Sequence, residues 1–90
     1  MPVSVIIPTP LRIFANGMRH VAIDAHTVGG ALDELTSRYP RLRAQLYAGE
    51  SLRAFVNVFV NDENIRDIGG DTALLATNDT ISIIPSIAGG

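Results

Sequence analysis

Phe55-Val56-Asn57-Val58-Phe59-Val60 is the stretch on which the fold turns. β-Branched and aromatic residues crowd it, and the polar turn Asn61-Asp62-Glu63-Asn64 closes it, so it reads as a strand. Successive side chains of a strand point to opposite faces. Val56, Val58 and Val60 therefore share one face, assigned to a core, and Phe55, Asn57 and Phe59 share the other. Downstream, Ile65-Arg66 reads as a short strand, Gly69-Gly70-Asp71 as a break, residues 72–76 as a short helical turn and Asn78-Asp79 as a reversal. Thr80-Ile81-Ser82-Ile83-Ile84 is the last strand, ended by Pro85, which has no amide hydrogen for a ladder.

Upstream, Val3-Ser4-Val5-Ile6-Ile7 opens a first strand over residues 3–8, stopped by Pro8 and Pro10. After a loop, Asn16-Gly17 tolerates positive φ at both positions and reverses the chain into a second strand at His20-Val21-Ala22-Ile23, giving a hairpin. Thr27 can cap a helix over 28–39, because Val28, Leu32, Leu35 and Tyr39 recur at helical spacing and Pro40 ends it. Gly29-Gly30 in its first turn costs about 1 kcal/mol per glycine relative to alanine and points to close packing of the helix start on a sheet. Neither a G-x-G-x-x-G nor a Walker spacing surrounds the pair, so it is not a phosphate loop. Residues 41–53, with Leu42, Leu46, Tyr47 and Leu52, read as a short second helix followed by a loop around Gly49. Strand, strand, helix, strand, short strand, strand is an α+β layout, a mixed sheet of about five strands on one main helix. This order resembles that of the β-grasp, or ubiquitin-like, folds, a resemblance that implies first and last strands adjacent in the middle of the sheet. The expected organisation is a domain over 1–85 and a flexible tail over 86–90.

Composition narrows the chemistry. Of 90 residues, 47% are hydrophobic and 18% charged, with a formal net charge of −2, which describes one small globular domain. Zero cysteines exclude a disulfide framework, an iron–sulfur cluster, a thiolate metal site and a cysteine nucleophile. All seven basic residues are arginines, and the acids are interspersed among them, so there is no broad footprint for nucleic acid. Arg38, Arg41 and Arg43 form a local cluster that reads as a solvated helix-end face complementing the dipole. His20 and His26 have no third group predicted beside them and read as surface or structural residues. No apolar run approaches the roughly 20 residues of a membrane helix, and Met1-Pro2-Val3-Ser4 does not begin a signal peptide, so the expected address is cytoplasmic, with neither membrane nor nucleic-acid partner.

The same strand parity places Val3, Val5, Ile7, Ile81 and Ile83 inward and leaves Ile6, Phe55, Phe59 and Ile84 on the outer face. An apolar patch rimmed by Ser4, Asn57 and Ser82 marks a partner site, unless residues 41–53 fold over it. Beyond Pro85, Ser86-Ile87-Ala88-Gly89-Gly90 spans at most about 17 Å when extended. Two residues without Cβ let a main chain enter a narrow channel and present an unhindered carboxyl carbon. A carboxylate with pKa about 3.3–3.7 is ionised at neutral pH and resists nucleophiles, so it must first become an acyl-adenylate by attack on ATP. A sulfur nucleophile then displaces AMP and leaves a terminal thiocarboxylate.

The sequence resembles the ThiS/MoaD family of ubiquitin-like sulfur carriers over essentially its whole length. The matching stretches are Phe55-Val56-Asn57-Val58-Phe59-Val60-Asn61-Asp62 and, more tellingly, Ile83-Ile84-Pro85-Ser86-Ile87-Ala88-Gly89-Gly90. The branch it most looks like is the CysO type, the carriers of cysteine biosynthesis. One departure is Thr77-Asn78-Asp79 where many members have Asp-Gly-Asp, and Asn78 can still adopt a left-handed conformation. The resemblance implies that Gly90 is adenylylated by a ubiquitin-activating-type (MoeB/ThiF-like) adenylyltransferase, with Ile87, Ala88 and Gly89 threading the partner's active site. It further implies no catalytic residue, metal or bound cofactor in this chain, with ATP used by the partner. The sulfur acceptor would be an activated serine derivative on a pyridoxal-phosphate cysteine synthase. In the molybdopterin branch it is a precursor held by the large synthase subunit. Other readings are a thiamine or tRNA-thiolation carrier, a protein modifier joined through Gly90, and a β-grasp binding module with an idle tail.

Overall fold

The computed structural model describes residues 2–85. Asn16 and Gly17, at φ 54° and 77°, turn the chain back so that β1 (Val3–Ile6) pairs antiparallel with β2 (His20–Ile23), Val3 opposite Ile23 and Ile6 opposite His20. The ladder ends at Ile6, although Ile7 N–H still donates to the Arg19 carbonyl at 2.9 Å. The intervening loop is ordered into a 3-10 segment, Thr9–Ala15, that buries Leu11 and Ala15. Pro8 and Pro10, which stop the strand, also favour this turn, because a fixed φ near −65° suits a first helical position.

Helix α1 (Val28–Arg38) starts at Thr27, whose Oγ1 accepts the Gly30 N–H at 3.0 Å. It buries Val28, Ala31, Leu32, Leu35 and Thr36; the Thr36 hydroxyl donates to the Leu32 carbonyl at 2.8 Å, so the core polar group is satisfied. Pro40 ends α1 and opens α2 (Pro40–Leu46), where its missing N–H has no intrahelical partner to lose. The glycine pair packs differently from the expectation of a sheet contact. A Cβ on Gly29 would lie 3.1 Å from both Cβ and the carbonyl oxygen of Asp71, so the close neighbour is the 3-10 turn Gly70–Thr72.

Residues 47–52 form a small hairpin, β3 (Tyr47–Ala48) with β4 (Ser51–Leu52), turning at Gly49 with φ 67°. β5 (Val56–Val60) and β6 (Glu63–Asn64) form a second, joined by Asn61 and Asp62. The short strand thus falls at 63–64 and not at Ile65-Arg66. The two-residue connection places Glu63 opposite Val60 and Asn64 opposite Phe59, and the Asn64 side chain then accepts the Arg66 N–H at 2.9 Å, starting a 3-10 turn over Ile65–Asp67. The helical turn expected over 72–76 is likewise displaced to Gly70–Thr72, because residues 73–75 are drawn into extended contact with the start of α1. Val28 N–H donates to Ala73, Leu75 N–H donates to His26, and Leu74 bridges Thr27.

β7 (Thr80–Pro85) completes a five-stranded sheet of order β2-β1-β7-β5-β6, with β1 and β7 parallel and the other pairs antiparallel. The first and last strands lie together inside the sheet, the β-grasp arrangement. Val3, Val5, Val21, Val56, Val58, Val60, Ile81 and Ile83 line its inner face, in one buried cluster with Val28, Leu32 and Leu35 of α1 and Leu42 and Leu46 of α2.

Candidate functional site

Register fixes the opposite face of the sheet residue by residue. Ile6 and Phe59 both stand opposite Ser82, one from each side, and Ile84 stands opposite Asn57. Phe59 and Ile84 are thus diagonal neighbours across one ladder, within reach of an aromatic side chain. Ile6 and Phe59 are half-buried, Ile84 is 48% exposed, and Phe55, just before β5, is 42% exposed. The four residues expected on the outer face are on it, with Ile6 joined to the others through Ser82. Residues 41–53 do not cover them. α2 packs on α1 and the 3-10 segment, and Leu42, Leu46 and Tyr47 belong to the core on the other side of the sheet.

β7 carries this face to the tail, and its two ends are held differently. At its start, Asn61 clamps Thr80 by main chain and side chain: Asn61 N–H donates to the Thr80 carbonyl at 2.7 Å, and Thr80 N–H donates to Asn61 Oδ1 at 3.1 Å. Asn61 Nδ2 donates to Asp79 Oδ1 at 3.1 Å, while Asp79 Oδ2 accepts the Ala76 N–H at 2.8 Å. That backbone donor first, and Asn61 second, hold the Asp79 carboxyl below its ordinary pKa. Asn61 and Asn78 sit at φ 55° and 71°, the left-handed conformation anticipated for Asn78. At its far end, Ile84 and Pro85 lie opposite Asn57 and Val56. Here Arg66 reaches over, Nη1 donating to Asn57 Oδ1 and Nη2 to the Ala54 carbonyl, each at 3.4 Å. Gly90, with Ile87, Ala88 and Gly89 before it, lies outside the described residues.

The remaining candidates separate. Arg38 pairs with Glu34 at 3.0 Å and donates to the Ala22 carbonyl; Arg41 stands over Phe14, and Arg43 over the Tyr47 ring at 4.4 Å from its centre. The cluster is therefore split, each arginine engaging different neighbours, with Arg38 and Arg43 in the last turns of their helices. Burial, and then the charges of Asp71 and Asp33, raise the Tyr47 pKa against the opposing pull of Arg43. His20 and His26 are exposed. Among the described residues no helix is long and apolar enough to cross a membrane. Arg66 and the Asn61–Asp79 pair were not singled out from the sequence. Asn61 directly after a strand was a usable sign, whereas nothing in the spacing of Arg66 shows that it reaches back nine residues to Asn57.

Comparison with known proteins places this geometry. The ThiS family profile matches residues 5–90. The sulfur carrier protein CysO of Mycobacterium tuberculosis is 37% identical over 93 residues, covering 100% of both chains. The small archaeal modifier protein 3 of Haloferax volcanii is 31% identical over 67 residues, 74% of this chain and 73% of that protein. A chain of the Amycolatopsis orientalis BexX/CysO complex superimposes with a TM-score of 0.89 at 41% identity, covering 98% of this chain and 99% of that one. A profile matched through the core, the outer-face strands and the last residue, together with a relative aligned from end to end, shows that the chain belongs to the ThiS family.

Proposed function

We propose that this chain is a sulfur carrier of cysteine biosynthesis whose Gly90 carboxylate is adenylylated, converted to a thiocarboxylate and used as the sulfur donor. The observation that carries the reading is the full-length similarity to sulfur carrier protein CysO, in a family match that runs through Gly90. In the first step a carboxylate oxygen attacks the α-phosphorus of ATP and releases pyrophosphate. A sulfur nucleophile then attacks the acyl carbon, the acyl–phosphate bond breaks and AMP leaves. The thiocarboxylate sulfur, softer and more nucleophilic than a carboxylate oxygen, bonds to the electrophilic carbon of an activated serine derivative on a pyridoxal-phosphate enzyme as the activating group leaves, and later hydrolysis of the linkage to the carrier frees the product and restores the Gly90 carboxylate. This chain contributes docking: a central strand anchored at Thr80 runs through the Phe55, Phe59 and Ile84 side of the sheet to Pro85, five residues before Gly90. The catalytic groups belong to a MoeB/ThiF-like adenylyltransferase and to the acceptor enzyme, and the CysO of Amycolatopsis is itself known in a complex with BexX.

The test is isotope exchange between pyrophosphate and ATP, catalysed by the adenylyltransferase encoded in the same genome. Exchange should depend on this chain and vanish when Gly89 and Gly90 are deleted. Exchange independent of the chain would refute adenylylation.

The similarity to a small archaeal modifier protein favours a second reading, in which the activated Gly90 is joined to amines of other proteins. With seven arginines and no lysine, the chain could not build side-chain-linked polymers of itself. Ladders of conjugates on a blot against a tagged chain would support this reading; their absence, with thiocarboxylate present, would support sulfur transfer.

A further inference from the structure

The outer face of the sheet is almost without charge. Among the described residues, its strand positions are serine, threonine, asparagine, alanine and histidine around Ile6, Phe59 and Ile84, and none is acidic. Arg66 brings a formal charge to its β5–β7 side. Its guanidinium lies against Asn57, directly beside Ile84 in the ladder, and against the carbonyl of Ala54, next to Phe55. Both hydrogen bonds are long, the side chain is exposed, and no carboxylate stands within ion-pair distance of it among the described residues. Arg66, Glu50 and Asp71 line one open cavity of about 290 Å³, with no ion pair between them.

A permanent cation at the rim of an apolar patch, held by two weak acceptors and with no carboxylate partner among the described residues, is suited to meet an anionic group on whatever covers the patch. We propose that Arg66 is a specificity-determining residue of this docking face, pairing with a carboxylate on the adenylylating partner as the Phe55–Phe59–Ile84 patch is covered. The position is informative. Ile84 is the penultimate residue of β7, so the charge stands at the end of the last described strand, where pairing with a partner would set the orientation of docking. Rim charges of this kind govern encounter rate and discrimination more than they add affinity.

The inference rests on the adenylylation reading, and its test separates the two. Binding of the fluorescently labelled carrier to the same-genome MoeB/ThiF-type adenylyltransferase is measured without ATP, and pyrophosphate exchange is measured separately. Arg66→Glu should weaken binding about tenfold and Arg66→Gln about threefold, whereas Arg66→Lys, which keeps the charge, should stay near wild type. Raising ionic strength should weaken the wild type more than Arg66→Gln. Thermal unfolding of the variants should match wild type. Unchanged binding of Arg66→Glu, or equal losses in Arg66→Lys and Arg66→Glu, overturns the inference while leaving adenylylation standing. Wild-type binding without exchange refutes adenylylation alone, and no wild-type binding overturns both.

Discussion

At the scale of single residues, two faces of one strand give opposite outcomes. Val58 is buried against Ile83, so Val58→Asp would place an unpaired carboxylate in the core and should cost more than about 3 kcal/mol. Phe59, one position on, faces outward. Phe59→Asp should cost only about 1 kcal/mol, keep a native circular dichroism spectrum and weaken engagement of the adenylyltransferase; loss of the folded state would contradict the face assignment. Asn61 joins a left-handed φ to a side-chain clamp on Thr80 and Asp79. Asn61→Ala should lower stability by about 1–3 kcal/mol in urea unfolding, and Asn61→Gly, which accepts φ 55° freely, should recover the backbone share alone. Asp79 adds a pH signature. Its folded pKa lies below the unfolded one, so its contribution is present above the ordinary aspartate pKa and is lost as pH falls through the folded value. Asp79→Asn should flatten that acid limb slightly, slightly because the carboxylate remains in contact with solvent, which screens it.

At the scale of elements, α1 is set by its first turn. Thr27→Ala removes the acceptor of the Gly30 N–H and should lower stability by about 1 kcal/mol. Gly29→Ala should fail to give the roughly 1 kcal/mol that helix propensity promises, because its Cβ would press at 3.1 Å on the main-chain oxygen of Asp71. A melting temperature clearly above wild type would show that the Gly70–Thr72 turn yields easily. The elements legible in the sequence were those with a strong period: the valines of β5 and the isoleucines of β7 read at period two, and Val28, Leu32 and Leu35 read as a helix stripe. What was not legible is set by contacts distant in sequence or by very short ladders. The 3-10 segment Thr9–Ala15 is ordered by burying Leu11 and Ala15, and β3–β4 has only two pairs. β6 shifted because a two-residue turn fixes register more firmly than the propensity of Ile65 does.

For the molecule as a whole, the outer-face patch was readable because strand parity needs no tertiary knowledge, whereas the rim charge of Arg66 required the fold. The core, α1 and the Asn61–Asp79 clamp hold β7 as a fixed mount up to Pro85, and the proposed transfer chemistry belongs to Gly90 beyond it. The direct measurement is alkylation of the purified chain after incubation with the adenylyltransferase, ATP and a sulfur donor. The absence of cysteine means that a thiol-selective reagent has no side-chain target. Intact mass alone is ambiguous, since oxidation of Met1 or Met18 nearly mimics exchange of oxygen for sulfur. The expected result is one alkyl adduct, localised to Gly90 by fragmentation, dependent on ATP and absent when Gly89 and Gly90 are deleted. A fully adenylylation-competent mixture that leaves the chain unalkylated would contradict it.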